Sequence, residues 1–175
     1  MSWRILTYRL EAEASKHRVG IWRELRKAGA VSLQNATWAI PTGSDFDSAV
    51  ERALALIERA EGKALVFDVI PTETSAAALE ELYLAEREDE WGEFVSDCAK
   101  FDAEIASEVA KEKFTLAELD EEEQNLERLR RWYREIRSRD IFGAPSAALA
   151  ERRLKECAAV LEDFANQVYE ARQRP

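Results

Sequence analysis

The chain has 175 residues, 46 % of them hydrophobic, with six glycines and four prolines, enough apolar material for one domain or two small ones and too much for a disordered chain. Its 25 basic and 35 acidic side chains give a net charge of −10, which excludes a protein that coats nucleic acid by global attraction, so any nucleic-acid role must be local. The charge is uneven: residues 1–72 hold 10 basic and 9 acidic side chains, whereas residues 73–124 hold 4 and 18.

The first ten residues, MSWRILTYRL, carry charges and no unbroken apolar run, so neither a signal peptide nor a membrane span is expected, and the expectation is a cytoplasmic protein. Trp3 to Leu10 reads as a strand, with Ile5, Thr7 and Arg9 alternating against Leu6, Tyr8 and Leu10. Ser15 is placed to cap a helix over residues 16–28. Its Lys16, Gly20, Arg23 and Lys27 recur at helical spacing as a cationic stripe, and Val19, Trp22, Leu25 and Ala28 take much of the other side. A glycine inside such a stripe gives a backbone or phosphate room to approach.

After Gly29, Ala30 to Gln34 and Thr37 to Pro41 read as two short strands around Asn35-Ala36. Ser44 or Asp45 then caps a second helix, Phe46 to Ala60, with Phe46, Val50, Ala53, Leu54 and Ile57 inward, and Gly62 ends it. Lys63 to Ile70 is nearly all apolar, the pattern of a central strand covered on at least one face, and Pro71 closes it. This β-α-β-β-α-β order is that of a ferredoxin-like domain over residues 1–71, with two helices on one face of a four-stranded antiparallel sheet.

Residues 72–175 read as three long helices packed antiparallel. The seams are Trp91, Phe94, Cys98, Phe101 and Ile105, then Leu126, Leu129, Tyr133 and Ile136, then Leu154, Cys157, Leu161, Phe164 and Val168. Thr115 and Glu118 form a capping box between the first two, and Phe142 to Pro145 breaks the chain before the third. The expected fold class is therefore α+β: a ferredoxin-like domain followed by a three-helix antiparallel hairpin.

Chemistry-bearing motifs are sparse. The acidic clusters at 80–82, 86–90 and 120–123 lack the histidines of a di-iron bundle, because the single histidine, His17, lies outside the helical part. They read as a solvated face, with magnesium held by carboxylates alone an open alternative. His17 has no local nucleophile other than the cap residue Ser15, and no glycine-rich phosphate loop is present, so neither enzyme activity nor a cofactor is expected. The helix start after Pro41 offers a place for an oxyanion. Cys98 and Cys157 fall on apolar stripes and read as buried reduced thiols, with a redox pair as the minor alternative. Among five tryptophans, Trp22 and Trp91 lie on expected inner faces. Trp3, Trp38 and Trp132 suit an edge, and Trp38 is a candidate aromatic platform.

Several blocks together resemble one family. HRVGIWRELRKAGAVSLQNATWAIP at 17–41, FTLAELD at 114–120, LERLRRWY at 126–133 and RDIFGAP at 139–145 are similar to the amino-terminal domain of the ChrB chromate-resistance regulators. The first 70 residues resemble, more distantly, the ferredoxin-like domain of PaaX-type repressors and small CRISPR-associated endonucleases. Those nucleases place an acidic residue at the end of the first strand. Here that region reads Tyr8-Arg9-Leu10-Glu11, so nuclease chemistry does not carry over.

The ChrB resemblance implies a cytoplasmic, non-enzymatic transcription regulator of chromate resistance. It implies operator DNA as partner, with Arg18, Arg23, Arg26 and Lys27 as contact candidates, to which the cationic stripe adds Lys16. Full-length ChrB carries a second, sensing domain, so a separate sensing domain or a second copy of the chain is a further candidate partner. A protein interaction module using the acidic helices and the sheet edge, and an oxyanion-binding protein, are the competing readings.

Overall fold

The computed structural model describes residues 1–11 and 15–173, apart from the side chains of residues 15, 16, 44 and 45. It is an α+β protein with one four-stranded antiparallel sheet and five helices among the described residues. The chain divides into two compact units, Met1–Glu86 and Arg87–Pro175, and the long third helix runs through the division.

In the first unit, β1 (Trp3–Arg9), β2 (Val31–Gln34), β3 (Thr37–Pro41) and β4 (Lys63–Val69) pair in the order β2-β3-β1-β4. Helix α1 (Ser15–Lys27) links β1 to β2, and α2 (Ser44–Arg59) links β3 to β4. Period-two alternation decides which side chains meet the helices. Leu6 of β1 and Trp38 and Ile40 of β3 pack with Ile21 and Leu25 of α1 and Val50, Ala53 and Ile57 of α2. On the opposite parity, the Trp3 ring meets Tyr83 edge-on at 5.9 Å, so the first turns of α3 (Glu73–Ala110) belong to this unit.

Two glycines are required for different reasons. Gly29 ends α1 at φ 68°, in the left-handed region that a side chain disfavours. After α2 the left-handed residue is Glu61, at φ 54°, and Gly62 serves close approach instead. A Cβ on Gly62 would lie 2.6 Å from Leu10 Cδ2 and 2.8 Å from the Arg9 carbonyl oxygen, so only glycine lets α2 turn into β4 against the end of β1.

Three expectations for this unit are corrected. β4 is an edge strand rather than a central one: it pairs with β1 alone, leaving Leu65 60 % and Phe67 49 % exposed. An unbroken apolar run does not distinguish a strand covered on both faces from one left open. Trp22 and Val19 are 44 % and 51 % exposed, because the inward face of α1 is Ile21, Leu25 and Ala28: Leu25 and Ala28 are inward as expected, and Ile21 takes the place of Trp22. Trp3 and Trp38, expected at an edge, are buried; Trp38 is therefore no binding platform.

In the second unit, α4 (Leu116–Arg139) and α5 (Ala147–Gln173) join the remainder of α3. The expected seams are buried, except that Tyr133 and Leu154 are only half-buried. Thr115 accepts the Glu118 amide at 3.2 Å, the expected N-cap of α4. Contacts between α3 and α4 advance in opposite directions, Asp97 with Arg128 and Glu90 with Arg139, so these helices are antiparallel. Contacts of α5 with α3 advance together, Ser146 with Glu88 and Cys157 with Cys98, so α5 runs parallel to α3.

The α4–α5 turn is built on Asp140, whose carboxylate accepts Trp91 Nε1 at 3.0 Å and the amides of Gly143 and Ala144 at 3.1 and 3.0 Å. Beside it, Arg139 grips Glu90 through two hydrogen bonds, and Arg87 reaches the same carboxylate at 2.8 Å. Burial makes these partners obligatory, since a lone charge there would carry its full desolvation cost.

Candidate functional site

The expected cationic stripe does not survive as one free surface. Gly20 turns toward α2, where a Cβ would meet Leu56 Cδ1 at 3.7 Å, so it does not open the helix to an outside backbone or phosphate. Lys27 binds Glu24 at 3.0 Å, and Glu24 also accepts Arg52 of α2 at 2.8 Å. Hydrogen bonds from Arg52 and then Lys27 hold the Glu24 carboxyl below its usual range. Arg26 lies over the Trp22 ring at 5.2 Å and pairs with Glu86 of α3 at 3.8 Å. Thus it is Arg26, rather than Arg23 or Lys27, that docks against the acidic segment. Arg18 and Arg23 are exposed. The Lys16 side chain lies outside the described residues.

The unpaired cations gather elsewhere. Among the described residues of the first unit, Arg9, Arg18, Arg23, Arg59 and Lys63 make no ion pair, whereas Arg4, Arg26, Lys27 and Arg52 do. The topology brings three of the free ones to one end of the sheet. Arg9 closes β1 and stands directly opposite Lys63, which opens β4. Two like charges in register are unfavourable for the sheet alone, and no carboxylate among the described residues pairs with either. Arg18 sits in the first turns of α1, whose positive helix-dipole end is at the same place.

Two adjoining clefts share Tyr8 and Arg9. One, of about 470 Å³, is lined by Tyr8, Arg9, Leu10, Arg18, Asn35 and Ala36. The other, of about 520 Å³, is lined by Thr7, Tyr8, Arg9, Lys63, Ala64 and Leu65. The β2–β3 turn forms part of the wall, held by the Tyr8 amide donating to the Ala36 carbonyl at 2.9 Å. Burial pushes the Tyr8 hydroxyl above its ordinary pKa, opposed by the Trp38 indole and by Arg18. The Trp38 Nε1–H is buried and falls short of a hydrogen bond with that hydroxyl. Chemically, this end can hold anionic oxygens on two guanidinium groups and one ammonium group, with a phenol at the floor.

The carboxylates of the second unit converge less usefully. Glu104, Glu108, Glu118, Glu121 and Glu122 line one cleft, but Lys113 and Arg128 enter it too. Among the described residues, no group of three His, Cys, Asp or Glu side chains is placed to hold a metal ion.

Sequence reasoning proposed Arg18 and Arg23 but missed Arg9 and Lys63. The signal was available: in a β-α-β-β-α-β order the first and last strands, β1 and β4, are antiparallel neighbours, so the end of one faces the start of the other.

Residues 18–175 match the family described as Protein ChrB, N-terminal. The chain belongs to the ChrB N-terminal family. The match spans the basic helix, the sheet after β1 and all three long helices, including the turn organised by Asp140. Membership in the ChrB family ties the chain to chromate resistance. No curated protein matches it. Among the described residues, no helix is long and apolar enough to cross a membrane.

Proposed function

We propose that this ChrB-family chain is a non-enzymatic regulator of chromate resistance that grips the DNA backbone with the end of its sheet, through Arg9, Arg18 and Lys63. The sheet order and the alternation of strands and helices support a ferredoxin-like reading of the first unit, in which this end is shared by β1, β4, α1 and the β2–β3 turn. One observation carries the proposal: in a chain of net charge −10, these cations stand together without carboxylate partners among the described residues. Arg4, by contrast, is held by Asp47 and Asp68.

Three phosphate contacts give a slope of about −3 in log affinity against log salt, from roughly −0.9 per contact. Fluorescence anisotropy on duplex DNA from the gene's own upstream region tests this. Arg18→Ala should weaken binding and reduce the slope by about 1. The triple Arg9→Glu, Arg18→Glu, Lys63→Glu should abolish binding with the circular dichroism spectrum unchanged. Equal affinity and slope in wild type and triple variant would reject the reading.

A second reading, a protein interaction module, rests on the exposed apolar side chains of edge strand β4 and on Trp22, which offers an indole beneath a guanidinium on the outer face of α1. Loss of a protein partner on Phe67→Lys or Trp22→Ala, with DNA binding absent in wild type, would favour it.

A further inference from the structure

We propose that Cys98 and Cys157 are an oxidisable dithiol that a hydroperoxide closes into a disulfide between α3 and α5. The two residues are 59 positions apart in sequence, yet the Cys157 thiol donates to the Cys98 carbonyl at 3.6 Å, which brings the two cysteines side by side. Both side chains are fully buried at equal heights on parallel helices. Neither is used by the basic end of the sheet, and packing alone does not require two thiols in contact, since alanine or valine would fill the same seam.

The surrounding charges make the two sulfurs unequal. The neighbouring Cys157 thiol holds the Cys98 thiol below its ordinary pKa and Arg153 adds to this, while burial and the Asp102 and Asp97 carboxylates oppose it. The same contact, together with burial, pushes the Cys157 thiol up. Asp102 and Arg153 form an ion pair beside the sulfurs, so the cation is held in place. The Cys157 thiol proton is committed to the Cys98 carbonyl, which leaves Cys98 as the attacking sulfur and Cys157 as the resolving one.

The chemistry balances. The Cys98 thiolate attacks one oxygen of the hydroperoxide; an S–O bond forms, the O–O bond breaks, and the leaving alkoxide takes the thiol proton to become an alcohol. Cys98 is then a sulfenic acid. Cys157 attacks that sulfur; the S–S bond forms, the S–O bond breaks, and hydroxide leaves with the Cys157 proton as water. The two thiols lose two electrons, and the peroxide is reduced to alcohol and water.

Hydrogen peroxide applied to the folded, reduced full-length chain, followed by alkylation and mass spectrometry, tests this. The expected result is loss of two hydrogens from the intact mass. A cross-linked peptide should join Cys98 to Cys157, dithiothreitol should restore both thiols, and the near-ultraviolet dichroism should not change. Cys157→Ser should stop at a Cys98 sulfenic acid that dimedone traps, and Cys98→Ser should leave Cys157 unreacted; the alanine variants replace either if serine unsettles the fold. A cross-link that forms only after urea is added, a wild-type chain that stops at the sulfenic acid, or a bridge between two chains would each overturn the proposal.

Discussion

Replacing Asp140 with alanine removes one carboxylate and strands three donors at once. The residue is only 4 % exposed, and it accepts Trp91 Nε1, the Ala144 amide and the Gly143 amide at 3.0, 3.0 and 3.1 Å. Trp91 and Ala144 are buried and cannot turn to water, whereas Gly143 is exposed and can. Two buried donors at about 1–3 kcal/mol each put the cost of Asp140→Ala at about 4 kcal/mol. Asp140→Asn keeps one acceptor oxygen. It can serve the turn amides or the indole but sets its own N–H₂ against the other, so about half the cost, ~2 kcal/mol, remains. Guanidinium titrations followed by far-ultraviolet dichroism measure both variants. An alanine variant within about 1 kcal/mol of wild type, or an asparagine variant as damaged as the alanine one, would refute the reasoning from counted acceptors.

Two further predictions follow from burial. Trp22→Ala should cost less than about 1 kcal/mol and Leu25→Ala about 2–5 kcal/mol, because only the second empties a core site; equal thermal shifts for the two would mean the inward face of α1 has been misassigned. Glu122 is 5 % exposed, and burial, reinforced by Glu104, Glu121 and Glu108 and opposed by the Asn125 amide, holds its carboxyl above the usual range. A carboxyl raised on folding contributes stability while it is protonated, below the unfolded pKa, and that contribution is lost as pH rises through the folded value. Glu122→Gln should therefore stabilise the chain at neutral pH and make no difference once the pH is below the ordinary glutamate range. A gain that persists in acid would show that the effect is not titration.

Much of the fold was legible because it depends on periodicity. Strand alternation and the three, four, three, four steps of Trp91, Phe94, Cys98, Phe101 and Ile105 reflect backbone geometry and survive any tertiary arrangement. What was not legible was phase and rank. On α1 both Ile21 and Trp22 are apolar, and only the seat of α2 beside Gly20 decides that the larger one faces outward. On β4 the residues from Ala64 to Phe67 have the composition of a central strand, and only the pairing partners show that one edge is open. Ion pairing was less legible still. Arg26 and Lys27 are adjacent and chemically alike, yet one reaches Glu86 on another element and the other a glutamate one turn back.

The candidate site follows from that last distinction. A charge count over a sequence segment weighs every lysine and arginine equally, but a guanidinium already bound to a carboxylate has little attraction left for a phosphate. Removing the paired groups from the first unit leaves a smaller set of described cations, and the register of β1 on β4 brings Arg9 and Lys63 together within it. The acidic excess lies mainly in residues 73–124. At physiological ionic strength, charges separated by more than about 8 Å of solvent are largely screened from one another. An anion at the sheet end meets Arg9, Arg18, Lys63 and the start of α1 directly, so a net charge of −10 limits how far DNA is drawn in without forbidding contact where those groups meet.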